Sequence, residues 1–153
     1  MEQWEQLLWA IYSHEIKLKE LYQAFALRFR TQATFWAQIA QEEHEHAELV
    51  TRLRKKIEAG TLVFNPSTLK PQAVEASIAR ADALIKKCGQ GQLDLAQALG
   101  HALDLEQSML ERSFFRCLSY PQEGCQSVGV ILQEQTRQHI TSIRNKLAEV
   151  KHA

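Results

Sequence analysis

Residues 1 to 59 contain neither glycine nor proline, and apolar side chains recur among them at alternating steps of four and three. A stretch without breakers and with a spacing near 3.5 has one good solution in water, an α-helix with one face buried. From Trp4 the positions on that spacing are Leu8, Ile11, Glu15, Leu18, Tyr22, Phe25 and Phe29, and only Glu15 is charged. From Trp36 they are Ile39, Glu43, His46, Val50, Leu53 and Ile57. The same count later gives Leu95, Leu99, Ala102, Glu106, Met109 and Ser113, then Gly129, Leu132, Thr136, His139 and Ile143. Four core-facing helical stripes result.

The first two stripes are in phase through Phe29, Gln32 and Trp36, so spacing alone permits a single very long helix. A hairpin near residues 30 to 33 is preferred. Arg28 and Arg30 suit a helix C-terminus, Thr31 or Thr34 suits an N-cap, and a seam carrying Glu15, Glu43 and His46 makes a poor coiled coil. Gly60, Pro66, Pro71, Gly89 and Gly91 then punctuate a connector, and Pro121 and Gly124 mark a later break. Within the connector, Pro71 suits a first helical turn and Gly89 a stop, giving a short helix over about 71 to 87, with the rest as loop. The expectation is one all-α domain over 1–153, an antiparallel four-helix bundle. Its helices lie near 2–30, 33–58, 92–119 and 123–150, and the crossover 59–91 joins the second to the third.

Composition excludes several classes. The chain has 153 residues with 18 Lys+Arg against 18 Asp+Glu and 45% hydrophobic residues, which suits one packed domain rather than disorder. A formal net charge of zero argues against a nucleic-acid partner. No apolar run approaches the ~20 residues of a membrane span, and the acidic start Met1-Glu2-Gln3-Trp4-Glu5 is unlike a signal peptide, so a cytoplasmic protein without membrane contact is expected. Cys88, Cys117 and Cys125 show no Cys-x-x-Cys spacing and are expected as small buried hydrophobes.

The polar residues on the stripes carry the chemistry. If the chain turns near Thr31, Glu15 on one arm and Glu43 and His46 on the other lie roughly 18 to 24 Å from the turn, and so come level across the pair. About Pro121 the same holds for Glu106 against Thr136 and His139. Glu15 precedes Glu43 and His46 by 28 and 31 residues, and Glu106 precedes Thr136 and His139 by 30 and 33. A Glu on one helix and a Glu-x-x-His on the next, given twice, is the ligand scheme of a dinuclear iron or manganese site in a four-helix bundle. The i, i+3 spacing puts Glu43 and His46 on one helix face, and carboxylates with imidazoles suit such metals. No Lys or Arg shares these stripes, so the buried carboxylates must be protonated or neutralised by metal.

At these residues the sequence resembles the rubrerythrin-like branch of the ferritin-like superfamily. The first segment, Glu15-Ile16-Lys17-Leu18-Lys19-Glu20-Leu21-Tyr22-Gln23-Ala24-Phe25-Ala26, is similar to the family's ligand-bearing first helix. Glu43-His44-Glu45-His46-Ala47 is similar to its Glu-x-x-His-Ala, and Ala98-Leu99-Gly100-His101-Ala102-Leu103-Asp104-Leu105-Glu106 to its third helix. The resemblance implies a ferritin-like bundle in which Glu15, Glu43, His46, Glu106 and His139 bind iron, with manganese or zinc as alternatives. It implies reduction of peroxide or oxidation of Fe(II) by oxygen in a homodimer.

Two departures qualify the likeness. In Thr136-Arg137-Gln138-His139 the family's bridging Glu is Thr136, and Glu134 points roughly 200° around the helix from it. Two divalent ions bring four positive charges against three carboxylates, so a weakened or mononuclear site is expected, or one completed by another group. The second departure is the lack of the family's Cys-rich iron segment, so an external electron donor is expected. The rival expectation is a ferritin-like metal-binding or structural module without catalysis. Elsewhere His14, His44 and His152 are expected at the surface, His101 near the third stripe, and Trp4, Trp9 and Trp36 in core or interface. Arg52, Arg54, Lys55 and Lys56 are expected as a solvated basic helix end.

Overall fold

The computed structural model describes residues 2–65, 69–111, 118–119 and 127–152, and the side chains of these outside 109–129. Among the described residues the regular structure is helical apart from one two-residue antiparallel pair. Helix α1 spans Gln3–Arg28, a 3₁₀ turn Arg30–Gln32 reverses the chain, and α2 spans Ala33–Glu58. Helix α3 spans Pro71–Gly89, α4 Leu95–Glu111 and α5 Ser127–Lys151. Strand β1, Val63–Phe64, pairs with β2, Leu118–Ser119, in the register Val63 to Ser119 and Phe64 to Leu118.

Local sequence explains the boundaries. Glu5 accepts a hydrogen bond from the Glu2 N–H at 3.3 Å and so starts α1. Asp94 and Gln97 cap α4 reciprocally, Gln97 N–H donating to Asp94 Oδ1 at 2.7 Å and Asp94 N–H to Gln97 Oε1 at 3.0 Å. This cap moves the start of α4 from the expected 92 to 95. Helix α3 is longer than the expected 71–87: Gly89 is its last residue, and the left-handed conformation falls at Gly91, φ +69°. The expected third helix to 119 is also corrected, because residues 118–119 extend to pair with the crossover, which is therefore not all loop. The Pro121 turn, the expected helix start at 123, the seam positions Met109, Ser113 and Gly129, and Cys117 and Cys125 lie outside the described residues and side chains.

Side-chain pairings set the helix directions. Between α1 and α2 the pairs Lys19 with His44 and Tyr22 with Trp36 run in opposite sense, so these helices are antiparallel. Between α1 and α3 the pairs His14 with Ser77, Lys17 with Asp82 and Ala24 with Cys88 advance together, so α3 runs parallel to α1. Arg80 on α3 reaches both His101 and Asp104 on α4 across a short loop, which makes α4 antiparallel to α3. Helix α3, about 28 Å long, thus carries the chain back along α1 so that α4 descends in the same sense as α2. Helix α5 is antiparallel to α2, with Glu42 near His139 and Lys146 over the Phe35 ring.

Two apolar clusters fill the interior. One gathers Leu7, Ile11, Val50, Leu53, Val74 and Leu132. The other gathers Leu18, Phe25, Trp36, Leu84, Leu99 and Ile143 around ring contacts of Trp36 with Phe25 at 4.8 Å, Phe35 at 5.1 Å and Tyr22 at 5.7 Å. Between them lies one layer of buried polar side chains. Cys88 is buried as expected of a small hydrophobe, and Trp36 is in the core, whereas Trp9 is 61% exposed. His14 is fully buried, not at the surface as its place beside the seam suggests, because α3 covers that flank of α1 and Ser77 hydrogen bonds it at 2.9 Å. Among the described residues no helix is long and apolar enough to cross a membrane.

Truncating the aromatic centre should therefore be costly and truncating the surface indole should not. Trp36→Ala is expected to lower unfolding free energy by about 3–5 kcal/mol and Trp9→Ala by less than about 0.5 kcal/mol, measured by urea titration. Equal midpoints for the two variants would contradict the packing described.

Candidate metal centre

Each bundle-facing helix contributes to the polar layer. Glu15 comes from α1, Glu43 and His46 from α2, Glu106 from α4, and Thr136 and His139 from α5, and all are buried. Glu43, completely shielded from solvent, stands in the middle. Its Oε1 lies 2.9 Å from His139 Nδ1, and its Oε2 lies 3.4 Å from His46 Nδ1. Glu106 Oε1 flanks the first imidazole at 3.2 Å, and Glu15 Oε2 flanks the second at 3.8 Å. Glu43 thus stands between two imidazoles, each with a second carboxylate beside it. The two imidazole rings are 4.9 Å apart.

Electrostatics decide where protons sit in the metal-free protein. Burial, reinforced by the charges of Glu106 and Glu15, pushes the Glu43 carboxyl well above the usual range. Burial also opposes ionisation of Glu106, but the His139 charge, the close Glu43 carboxyl and the His139 hydrogen bond outweigh it and hold Glu106 well below the usual range. Glu15 is likewise lowered against its burial by contacts with Glu43 and His46. Burial works to discharge His139, yet Glu106, Glu42 and Glu43 around it push its value up to about 12. His46 is raised in the same way, chiefly by Glu15. The shifts on Glu43 and the two imidazoles all favour their protonated forms, as expected of carboxylates buried together without a cation.

Three surrounding groups support this layer. Burial and the carboxylates keep the Tyr22 hydroxyl protonated, and it donates to Glu106 Oε1 at 2.9 Å. Thr136 donates its hydroxyl to the Leu132 carbonyl at 2.8 Å, so α5 directs a small, internally satisfied group toward the layer. Glu42, not on any seam and not singled out by spacing, brings Oε2 to 2.6 Å from His139 Nε2, outside hydrogen-bond alignment. Its only sequence signal is adjacency to Glu43, which turns it about 100° around α2 toward α5. Glu134 is exposed, in keeping with its position on α5.

The donor set fits a metal ion. Both Glu43 oxygens and His46 Nε2 are buried without a hydrogen-bond partner, a costly state that coordination to a cation relieves. One ligand atom each from Glu43, His46 and His139 lies within 4.8 Å of the others, and mixed oxygen and nitrogen donors suit iron, manganese or zinc. The chain is thus a helical protein with a buried Glu/His cluster able to hold a metal ion. No protein-family model matches it, and no curated protein and no solved structure matches it either.

The shifts give a pH dependence with a definite sign. His139 and His46 have folded values above their ordinary 6.5, so their stabilisation is complete below pH 6.5 and is lost as pH rises. Glu43, raised above 4.5, erodes stability in the same direction, because the unfolded chain releases a proton that the folded one keeps. Glu15 and Glu106, lowered from 4.5, stabilise above that pH and cease to do so as it falls. Thermal midpoints in chelator should therefore fall between pH 6.5 and 9. With saturating divalent metal they should rise over the same interval, because binding displaces these protons. Parallel profiles with and without metal would count against the cluster as a binding site.

Proposed function

We propose that the chain is a rubrerythrin-like non-haem iron carboxylate protein, in which α1, α2, α4 and α5 form a ferritin-like bundle and α3 lies in its long crossover. The observation that carries this reading is Glu43, whose two oxygens face two different imidazoles, His139 at 2.9 Å and His46 at 3.4 Å. A carboxylate so placed suits two cations, one held with His139 and Glu106 and the other with His46 and Glu15. Manganese or zinc would fit the same donors.

Iron bound there supplies electron exchange between its ferrous and ferric states, with peroxide or dioxygen as oxidant and an external donor to restore the reduced form. The chain's own residues provide the setting. Glu43, whose buried carboxyl favours its protonated form without metal, would release that proton on binding cations. Tyr22 fixes Glu106 through its hydroxyl, and the apolar clusters on either side keep bulk water out. A second copy fits the exposed Trp9, which stacks on Tyr12 beside an apolar groove containing Leu8 and Val50.

A second reading is favoured by Thr136. Its hydroxyl is committed to Leu132, so α5 offers no carboxylate, and a ferritin-like metal-binding or structural module with a single ion and no turnover follows from that loss. Metal content separates the two. After anaerobic Fe(II) loading and desalting, close to two irons per wild-type chain, abolished in Glu43→Ala, are expected, with Fe(II) oxidation by peroxide or oxygen faster than in buffer. One ion per chain without accelerated oxidation would select the second reading as a metal-binding module, and no binding of any divalent metal would exclude the iron protein and leave the non-catalytic structural module.

A further inference from the structure

The polar layer is sealed by apolar clusters along the bundle axis, yet one described cavity reaches it from the side. This cavity, of about 170 Å³, lies between α2 and α5 and is lined by Glu42, Glu45, His46, Gln135, Gln138, His139 and Ser142. Among the described cavities it is the one lined by candidate metal ligands; the groove at Trp9 and the cavity beside Pro71 touch none of them. Its outer part is in solvent, for Glu45, Gln138 and Ser142 are exposed and the Glu42 side chain is 35% exposed. Its inner wall is His46 and His139, at 1% and 2%.

Its chemistry is that of a cation path. Glu42 and Glu45 stand at its outer part and no Lys or Arg is among its lining residues, so its mouth attracts positive charge. The volume admits an ion with part of its water shell. Three buried polar atoms belong to its lining residues and have no hydrogen-bond partner among the described residues, His46 Nε2, His139 Nε2 and Gln135 Oε1. Glu42 spans the interval: Gln38 steadies its Oε1 at 3.4 Å, and its Oε2 meets His139 Nε2 at 2.6 Å, while the other nitrogen of that ring faces Glu43 and Glu106.

We propose that this α2/α5 cavity is the port through which divalent cations reach the centre, and that Glu42 captures the incoming ion and delivers it to His139. The inference rests on the metal-binding reading above and adds to it the route and the residue that governs entry. A carboxylate placed at the mouth also supplies, during entry, the negative charge that Thr136 does not.

Stopped-flow uptake of Co(II) by the metal-free chain, followed by its visible absorption, tests this. Three variants are compared with wild type after circular dichroism has checked their fold: Glu42→Gln, which removes the charge; Ser142→Phe, which fills the cavity and leaves Glu42; and Thr51→Phe in the Trp9 groove, as a control. The port predicts association slowed by about tenfold in the first two, with unchanged final stoichiometry, and a wild-type rate in the control. It also predicts that added salt slows wild-type uptake more than that of Glu42→Gln. If Glu42→Gln does not fold, Ser142→Phe decides. Wild-type association rates in both variants would overturn the port while leaving the centre standing. Unchanged association with faster release in Glu42→Gln would also overturn it, and would reduce Glu42 to a residue that orients His139. A wild-type chain that takes up no Co(II) or Fe(II) would remove the metal-binding reading and the port together.

Discussion

A carboxyl group buried completely at the centre of a helical protein dominates the energetics of this structure. Among the described residues Glu43 has no solvent contact, no Lys or Arg partner and no aligned hydrogen bond to either oxygen, so its ionised form is strongly disfavoured unless a cation is supplied. Everything at its level answers to that. His46 and His139 turn one nitrogen each toward it, Glu15 and Glu106 stand behind those nitrogens, and Tyr22 holds Glu106 in place.

Such a layer survives because apolar packing lies on both sides of it. The cluster around Trp36 and the cluster around Leu53 each bury aromatic and aliphatic side chains that bring the helices into register, and the polar layer occupies the interval. Hydrophobic burial holds the scaffold, and the scaffold holds like charges closer than they would remain alone. Helix α3 is part of this arrangement and more than a connection, since it covers α1, encloses His14 against Ser77 and returns the chain so that α4 can bring Glu106 down to the level of Glu43.

The two imidazoles beside Glu43 each meet a second carboxylate, but their surroundings differ. His139 has Glu42 against its outer nitrogen, whereas the outer nitrogen of His46 has no partner. On α5 the position one turn before His139 is Thr136, small and tied to its own helix. The polar side of the layer therefore faces the α2/α5 interface, where a cavity opens. This asymmetry follows from single side chains and leaves the helices themselves unaltered.

The sequence by itself determined the helices and the level at which polar groups meet. Helical spacing is local: the absence of Gly and Pro before residue 60 and the 3.5-residue recurrence set α1 and α2, with α2 at Ala33–Glu58 where spacing places it. The meeting of Glu15, Glu43, His46, Glu106 and His139 was also readable, because helix rise converts residue counts into distances. Tertiary structure decided what depends on neighbours from elsewhere in the chain. The burial of His14 required α3 to lie on α1, the pairing of Val63–Phe64 with Leu118–Ser119 joined segments remote in sequence, and Glu42 became part of the centre only when α5 placed His139 beside it. Periodicity assigns a residue to a helix face, but which helix covers that face is set by packing among all of them.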